Sequence, residues 1–466
     1  MILALLLACT PGDATGVLTE TGDDVVPDDC ADDWLLAEPS LSATSAGTVP
    51  RLAFDTTGEA VTRVVFETAA GGERATAWST PGTAHEALLL GIPAATEFTW
   101  RVEVEGEDMC VASGLGQNGE LPSGVPQVSQ VEGELATVDG RLLVAPVFTG
   151  EYGQAGWVTV IDPLGNVVFA HKLVDDRGNE AQTFRAAPAH DGDGLWILTQ
   201  AASEDELGHI TRLRFDGTEG ESHDIAGLHT DFVELSGGRF AALGWDVQQI
   251  GDERYLGDTV VVREADGTVR ELWNSFDEIE FDSEGDWLAG FYPADHSVYD
   301  WTHVNGITYD EATDDVLVTM VAFDAVTRID VGSGEPAWVL GTEYGDFASP
   351  GGRITQWPHS VQVVSSNEIL VFNRGDFLDD PSVCSWAAFL TLDSDQRVVN
   401  TRTAIESEDC LLVNFLGQAR SLPSGHLEVA WSSAGVIEEY DQELERVRRL
   451  ELEMGAAFAF TERIPL

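Results

Sequence analysis

Val158-Thr-Val-Ile-Asp162, Arg212-Leu-Arg-Phe-Asp216, Val260-Val-Val-Arg-Glu-Ala-Asp266, Val326-Thr-Arg-Ile-Asp330, Ala388-Phe-Leu-Thr-Leu-Asp393 and Val436-Ile-Glu-Glu-Tyr-Asp441 are one element written six times. Each is a short apolar strand that ends in an acidic turn, where an Asp side chain folds back on its own backbone. The closing aspartates are 54, 50, 64, 63 and 48 residues apart. A second element, strand–polar turn–strand, recurs between them as Phe232-Val-Glu-Leu-Ser-Gly-Gly-Arg-Phe240, Val361-Gln-Val-Val-Ser-Ser-Asn-Glu-Ile-Leu370 and Ala419-Arg-Ser-Leu-Pro-Ser-Gly-His-Leu427. Six units of about fifty residues, each with several short strands, predict a six-bladed β-propeller over 121–466. A parallel β-helix is the second reading, and its repeats would be much shorter.

Upstream, residues 34–120 alternate short apolar runs with turns. Arg51-Leu-Ala-Phe54, Val61-Thr-Arg-Val-Val-Phe66 and Phe98-Thr-Trp-Arg-Val-Glu-Val104 are strand candidates. An immunoglobulin/fibronectin-like β-sandwich is expected there, so the whole chain reads as all-β. Composition agrees, because 47 glycines and 13 tryptophans suit tight turns between aromatic-rich strands.

Charge narrows the function classes. The 24 Lys and Arg residues face 81 Asp and Glu, a net charge of −57, and Lys172 is the single lysine. Such a surface repels phosphate backbones, which excludes nucleic-acid partners. The 43% apolar content supports a packed interior and excludes wholesale disorder.

The N-terminus, Met1-Ile-Leu-Ala-Leu-Leu-Leu-Ala-Cys9, is too short an apolar run to span a bilayer. It fits the apolar region of an export signal over 1–9, although it lacks the basic residues that usually open one. Its end, Leu6-Leu7-Ala8-Cys9, looks like a bacterial lipobox, with Cys9 as the lipidated residue. Residues 10–33, rich in Thr, Gly and Asp, read as a disordered acidic tether. The expectation is an exported protein, anchored by lipid alone in the bacterial cell envelope, at the outer membrane. Four cysteines remain, and three pairings of them are possible. Proximity in sequence favours Cys30–Cys110 and Cys384–Cys410 as disulfides of an exported protein. No Cys-x-x-Cys pair occurs, so zinc ribbons and thioredoxin-like chemistry are poor readings.

Three histidines open corresponding segments of successive repeats, in Leu228-His229-Thr-Asp-Phe232, Asp300-Trp-Thr-His303-Val-Asn305 and Gln356-Trp-Pro-His359-Ser-Val-Gln362. Equivalent positions in successive blades converge at one end of a propeller channel, so three imidazoles would meet there. A single histidine so placed is more often structural. The acidic stretch Asp277-Glu-Ile-Glu-Phe-Asp-Ser-Glu-Gly-Asp286 is the one place a calcium ion would fit, but it lacks the spacing of a calcium loop and reads as a solvated turn. No metal site and no other cofactor is expected, and there is no phosphate loop or Gly-x-Ser-x-Gly elbow.

The same residues resemble the bacterial arylsulfate sulfotransferase family. The resemblance is carried by Asp300-Trp-Thr-His-Val-Asn-Gly-Ile-Thr-Tyr-Asp310 with Asp315-Val-Leu-Val318 and Trp338-Val-Leu-Gly341, by Trp357-Pro-His-Ser360 with Ile369-Leu-Val-Phe-Asn373, and by His229-Thr-Asp-Phe232. It implies an N-terminal immunoglobulin-like domain before a six-bladed propeller. It also implies transfer of a sulfuryl group between phenols without a nucleotide donor. His359 would be the nucleophile and form a sulfo-histidine, His303 and His229 would contact the sulfuryl and phenolic oxygens, and Asn305 would orient a ligand or an imidazole. The implied partners are an aryl sulfate and a phenol. One departure stands out. Family members usually continue after the second histidine motif with Ser-Ser-Arg-His, whose arginine helps bind the sulfuryl group, and here the stretch is Thr319-Met-Val-Ala322. Arg185, Arg374 and Arg420 are the candidates to replace that cation from other repeats. The competing function is a lipid-anchored propeller without catalysis that binds a small molecule or an envelope protein.

Overall fold

The computed structural model describes residues 30, 32–107, 110–133, 140–149, 155–174, 181, 183–281, 288–290, 292–341, 344–350, 354–375, 382–453 and 456–464. Cys9, the signal segment and nearly all of the 10–33 tether lie outside these, as does the end of the acidic stretch. No helix among the described residues is long and apolar enough to cross a membrane. The chain divides into one unit of Met1–Ser123 with Phe215–Thr218, and a second of Gly124–Arg214 with Glu219–Leu466.

The first unit holds two antiparallel sheets. One is built from Ser40–Ser42, Arg51–Ala60 and Gly82–Leu88, the other from Gly72–Ala75, Thr62–Thr68, Glu97–Val104 and Cys110–Gln117. Alternation decides which side chains go inside. In Glu97–Val104 the buried residues are Phe98, Trp100, Val102 and Val104, which meet Leu52, Phe54 and Val64 in one core. All three expected strands are present, and Cys30–Cys110 is a disulfide.

The second unit is six successive sheets of similar plan, antiparallel apart from a short parallel pairing of Glu253–Arg263 with Tyr299–Asp300 in the third. The second sheet runs Ala186–Pro188, Leu195–Thr199, Leu207–Leu213, Glu219–Ala226, and the third starts Leu228–Leu235, Arg239–Ile250, Glu253–Arg263, Val269–Asn274. The fourth is Val304–Asp310, Asp315–Met320, Ala325–Asp330, Pro336–Gly341, and the fifth is Pro358–Ser365, Glu368–Asn373, Trp386–Asp393, Val398–Glu406. The sixth, Gln418–Ser421, Leu427–Trp431, Val436–Tyr440, Arg446–Leu452, takes Val128–Glu132 from the start of the unit as its outer strand. In return, Ala456–Phe458 and Glu462–Ile464 pair with Leu142–Thr149 of the first sheet, which continues with Ala155–Ile161 and Val167–Lys172. The disulfide Cys384–Cys410 spans residues flanking the last two strands of the fifth sheet.

The repeated aspartate has a physical reason. Asp162, Asp266, Asp330, Asp393 and Asp441 each accept a backbone N–H two or three residues on, at 2.7–3.0 Å, in the turn after the strand their motif names. Consecutive sheets share apolar cores, such as Leu243, Val260, Trp273 and Trp301 with Val304, Val316 and Val318 between the third and fourth.

Residues in and beside the inner strands also link neighbouring sheets. Ile307 N–H donates to Asp231 Oδ2 at 3.0 Å, and the Thr319 hydroxyl lies 3.3 Å from the His359 carbonyl. Ala419 N–H reaches Ser360 Oγ at 3.3 Å, and Thr461 N–H reaches Gln418 Oε1 at 2.7 Å. Arg185 pairs with Glu462 at 2.7 Å and lies 3.4 Å from Asp231. These contacts involve residues in or beside strands of each of the six sheets. Burial lifts the Asp231 carboxyl to about 6 against the pull of Arg185.

Candidate active site

At or near the start of the inner strands of the third, fourth and fifth sheets stands a non-glycine residue in the left-handed region: Thr230, within its strand, at φ 51°, and His303 and Trp357, just before theirs, at 50° each. Leu416, at φ 62°, precedes the inner strand of the sixth. Left-handed backbone costs an L-residue about 1–2 kcal/mol, so the surrounding fold must impose it. All four residues line one cavity of about 690 Å³. A bulge follows, in which Asn305 and His359 are each the extra residue opposite the second strand. The bulge turns those side chains off the regular alternation, and both line the same cavity.

His229, His303, His359 and Asn305 therefore come together as expected, but not at equivalent positions. His359 matches Asn305, His303 matches Trp357, and His229 stands one residue before the left-handed Thr230. The bulge in the third sheet is longer, with no partner for Thr230 or Asp231, which breaks the register there.

His359 is 3% exposed, and its Nδ1 has no hydrogen-bond partner among the described residues. The Gly417 backbone hydrogen-bonds the ring, which packs 5.2 Å from Phe460. Burial, then the Arg374 guanidinium and His303, hold this imidazole well below its ordinary pKa of 6.5. It is neutral at physiological pH, the form whose nitrogen lone pair can attack.

The other imidazoles are held by carboxylates that sequence reasoning missed. His303 Nδ1 lies 2.5 Å from Asp300 Oδ2, while Asp300 Oδ1 accepts the His303 N–H at 3.0 Å. His229 Nδ1 is 3.0 Å from Thr230 Oγ1, and its Nε2 is 3.0 Å from Asp258 Oδ1 without hydrogen-bond alignment. Asp258 Oδ2 is committed to the Thr302 hydroxyl at 2.5 Å and the Val304 N–H at 2.8 Å. Trp245 stacks on His229, with ring centroids 5.1 Å apart and planes 6° from parallel. Asn305 Oδ1 accepts from Thr319 at 2.9 Å, which leaves its Nδ2 as a buried donor with no partner among the described residues.

The three arginines separate clearly. Arg185 and Arg420 pair with Glu462 and line a different, smaller cavity of about 80 Å³. Arg374 lines the histidine cavity. Val321, in the stretch where the family arginine is expected, is 2% exposed, donates its N–H to the His303 carbonyl at 3.2 Å, and does not line the cavity. Among the described residues no cluster of acidic, His or Cys side chains is arranged to hold a metal ion.

Four buried polar atoms in one cavity have no hydrogen-bond partner among the described residues: His229 Nε2, Asn305 Nδ2, His359 Nδ1 and Arg374 Nε. Buried polar groups are nearly always paired, so such a cluster marks a ligand site. Donors at Asn305 and Arg374 call for an anion, and Phe184, Trp245, Trp357 and Phe415 add aromatic walls. The chain is thus an all-β protein with a cavity in which three imidazoles, an amide and a guanidinium stand beside aromatic side chains. The model of the arylsulfotransferase (ASST) family matches residues 136–379, and the chain belongs to that family. No curated protein matches this chain by sequence. Among solved structures, a protein of unknown function from Bacteroides caccae is similar at 14% identity and TM-score 0.44, over 70% of this chain and 99% of that one. The periplasmic gluconolactonase PpgL of Pseudomonas aeruginosa is similar at 12% identity and TM-score 0.41, over 70% and 99%. The β-propeller domain of Myceliophteria thermophila Cps50 (Swd1) is similar at 13% identity and TM-score 0.38, over 70% and 86%.

Proposed function

We propose that this family member moves a sulfuryl group from an aryl sulfate to a phenolic acceptor through a sulfo-histidine at His359. The observation that carries the reading is the buried imidazole of His359, held well below its ordinary pKa, with Nδ1 unpartnered among the described residues and Gly417 holding the rest of the ring. In the first half-reaction the Nδ1 lone pair forms an N–S bond as the S–O bond to the aryl group breaks. The departing phenolate takes a proton from His303, which its Asp300 partner orients for that role. In the second half the acceptor phenol attacks sulfur, returns a proton to His303 and breaks the N–S bond. Asn305 donates to the sulfuryl oxygens, where charge builds in both transition states. His229, flattened against Trp245, contacts the phenolic oxygen.

The same reading takes the six sheets of the second unit as propeller blades, with the circuit of contacts between inner strands running around the axis. It takes the two sheets of the first unit as an immunoglobulin-like domain. Two exchanged segments, Val128–Glu132 and 456–464, support the propeller, because each fastens one end of the unit to the other.

A chromogenic aryl sulfate, incubated with the purified protein and a panel of phenols, tests the chemistry. Turnover that depends on the acceptor, with a sulfo-histidine on the peptide containing His359, is expected. Neither product nor adduct with any donor would overturn the reading. For location, the proposal is export and a lipid anchor at Cys9. Metabolic labelling with a fatty acid should mark the full chain and fail with Cys9→Ser, and label that persists in the variant would remove the anchor.

A further inference from the structure

We propose that Arg374, at the end of the second strand of the fifth sheet, is the cation that grips the transferring sulfuryl oxyanion. The inference rests on the sulfuryl-transfer reading for the identity of the anion, and on the structure for the existence of a site. Arg374 directly follows the strand Glu368–Asn373 and is 5% exposed. Its backbone is fixed on both sides, the N–H donating to the Trp357 carbonyl at 3.1 Å and the carbonyl accepting from Ser385 Oγ at 2.7 Å. Its guanidinium sits 5.3 Å from the centre of the Trp357 ring, and Nη1 makes a long 3.4 Å bond to the Asn414 carbonyl. Nε has no hydrogen-bond partner, and no carboxylate pairs with the side chain among the described residues.

That isolation is unusual in so acidic a protein. Of 24 cations set against 81 carboxylates, one of the most deeply buried has no counterion among the described residues. Burying a charge unpaired is expensive, and the cost is ordinarily met by an ion pair or removed by substitution. Here burial depresses the guanidinium pKa to about 10, still far above physiological pH, so the side chain remains a cation. Its neighbours in the cavity are His359, whose own basicity it lowers, and Asn305 with a spare donor. A planar guanidinium and an amide offer a sulfuryl group hydrogen bonds to separate oxygens while His359 faces the sulfur. The site is therefore complete without an arginine at Val321.

Inorganic sulfate is the probe, titrated by calorimetry and by melting temperature against chloride at matched ionic strength. Wild type should bind sulfate saturably, and Arg374→Met should lose at least about tenfold in affinity, the scale of a lost charged hydrogen bond. Without sulfate, Arg374→Met should melt at or above wild type, because the variant no longer buries an unpaired charge. Arg420→Met, which orphans Glu462 in the other cavity, should melt lower and keep its sulfate affinity. Unchanged sulfate binding in folded Arg374→Met overturns the assignment. If the variant does not fold, wild type still decides: sulfate should slow diethyl pyrocarbonate modification of His359, and no protection overturns the proposal. The two readings fail separately. Sulfate held through Arg374 without aryl sulfate turnover defeats sulfuryl transfer alone, and turnover with full activity in Arg374→Met defeats the arginine alone.

Discussion

Replacing His359 by Ala should reduce acceptor-dependent turnover by on the order of 10⁴ or more, because no group remains to carry the sulfuryl between phenols. The sulfo-histidine adduct should vanish with it, and adduct on another residue in His359→Ala would relocate the nucleophile. The substitution also has a pH signature in stability. The folded imidazole is held well below its unfolded value near 6.5, so it contributes stability that is present above that pH. That contribution is lost as pH falls from about 6.5 toward the folded value, because only the unfolded chain takes up the proton there. His359→Gln should flatten this acid limb relative to wild type in chemical unfolding between about pH 7 and pH 5. Asp231 acts with the opposite sign. Its folded value of about 6 lies above the usual carboxylate range, so its share is fully present at low pH and lost as pH rises through 6. The difference between wild type and His359→Gln isolates the histidine, since Asp231 is common to both.

Asp300→Asn should lower kcat by on the order of 10²–10⁴ with little change in KM for the aryl sulfate. Asn keeps an oxygen for the His303 backbone N–H but removes the carboxylate that holds Nδ1. His303 then loses the carboxylate that orients its ring, so the loss belongs to leaving-group protonation. One readout separates this from a merely structural role. The deficit should shrink for donors whose phenols leave with a low pKa. An equal deficit across donors would reduce Asp300 to a scaffold residue.

These residues differ in how openly the sequence declares them. The Asp that closes each repeat is legible because one local geometry, a side chain folding onto its own backbone, demands that residue at that spot. The histidine motifs are legible because His303 and His359 sit beside unusual neighbours, Trp301 and Trp357, in the right order. What those motifs do not reveal is register. A bulge one residue long places Asn305 and His359 in the cavity, while a longer one in the third sheet leaves His229 as its neighbour from a different position. Asp258 escaped notice because it lies mid-strand in an apolar run, and its role depends on Thr302 and Val304 some forty residues on. Arg374 could be named but not aimed, since direction after a strand end is fixed by Trp357 and Ser385 on other segments.

The exchange of end segments between the first and sixth sheets dictates when the second unit can finish folding. Arg463 donates to the Arg141 carbonyl across 322 positions of chain, and Glu462 answers both Arg185 and Arg420. Until residues 456–464 arrive, Leu142–Thr149 presents an unpaired edge and two arginines lack their carboxylate. A nascent chain must therefore carry this open seam until residues 456–464 have been made, so closing it is a late, long-range step of folding.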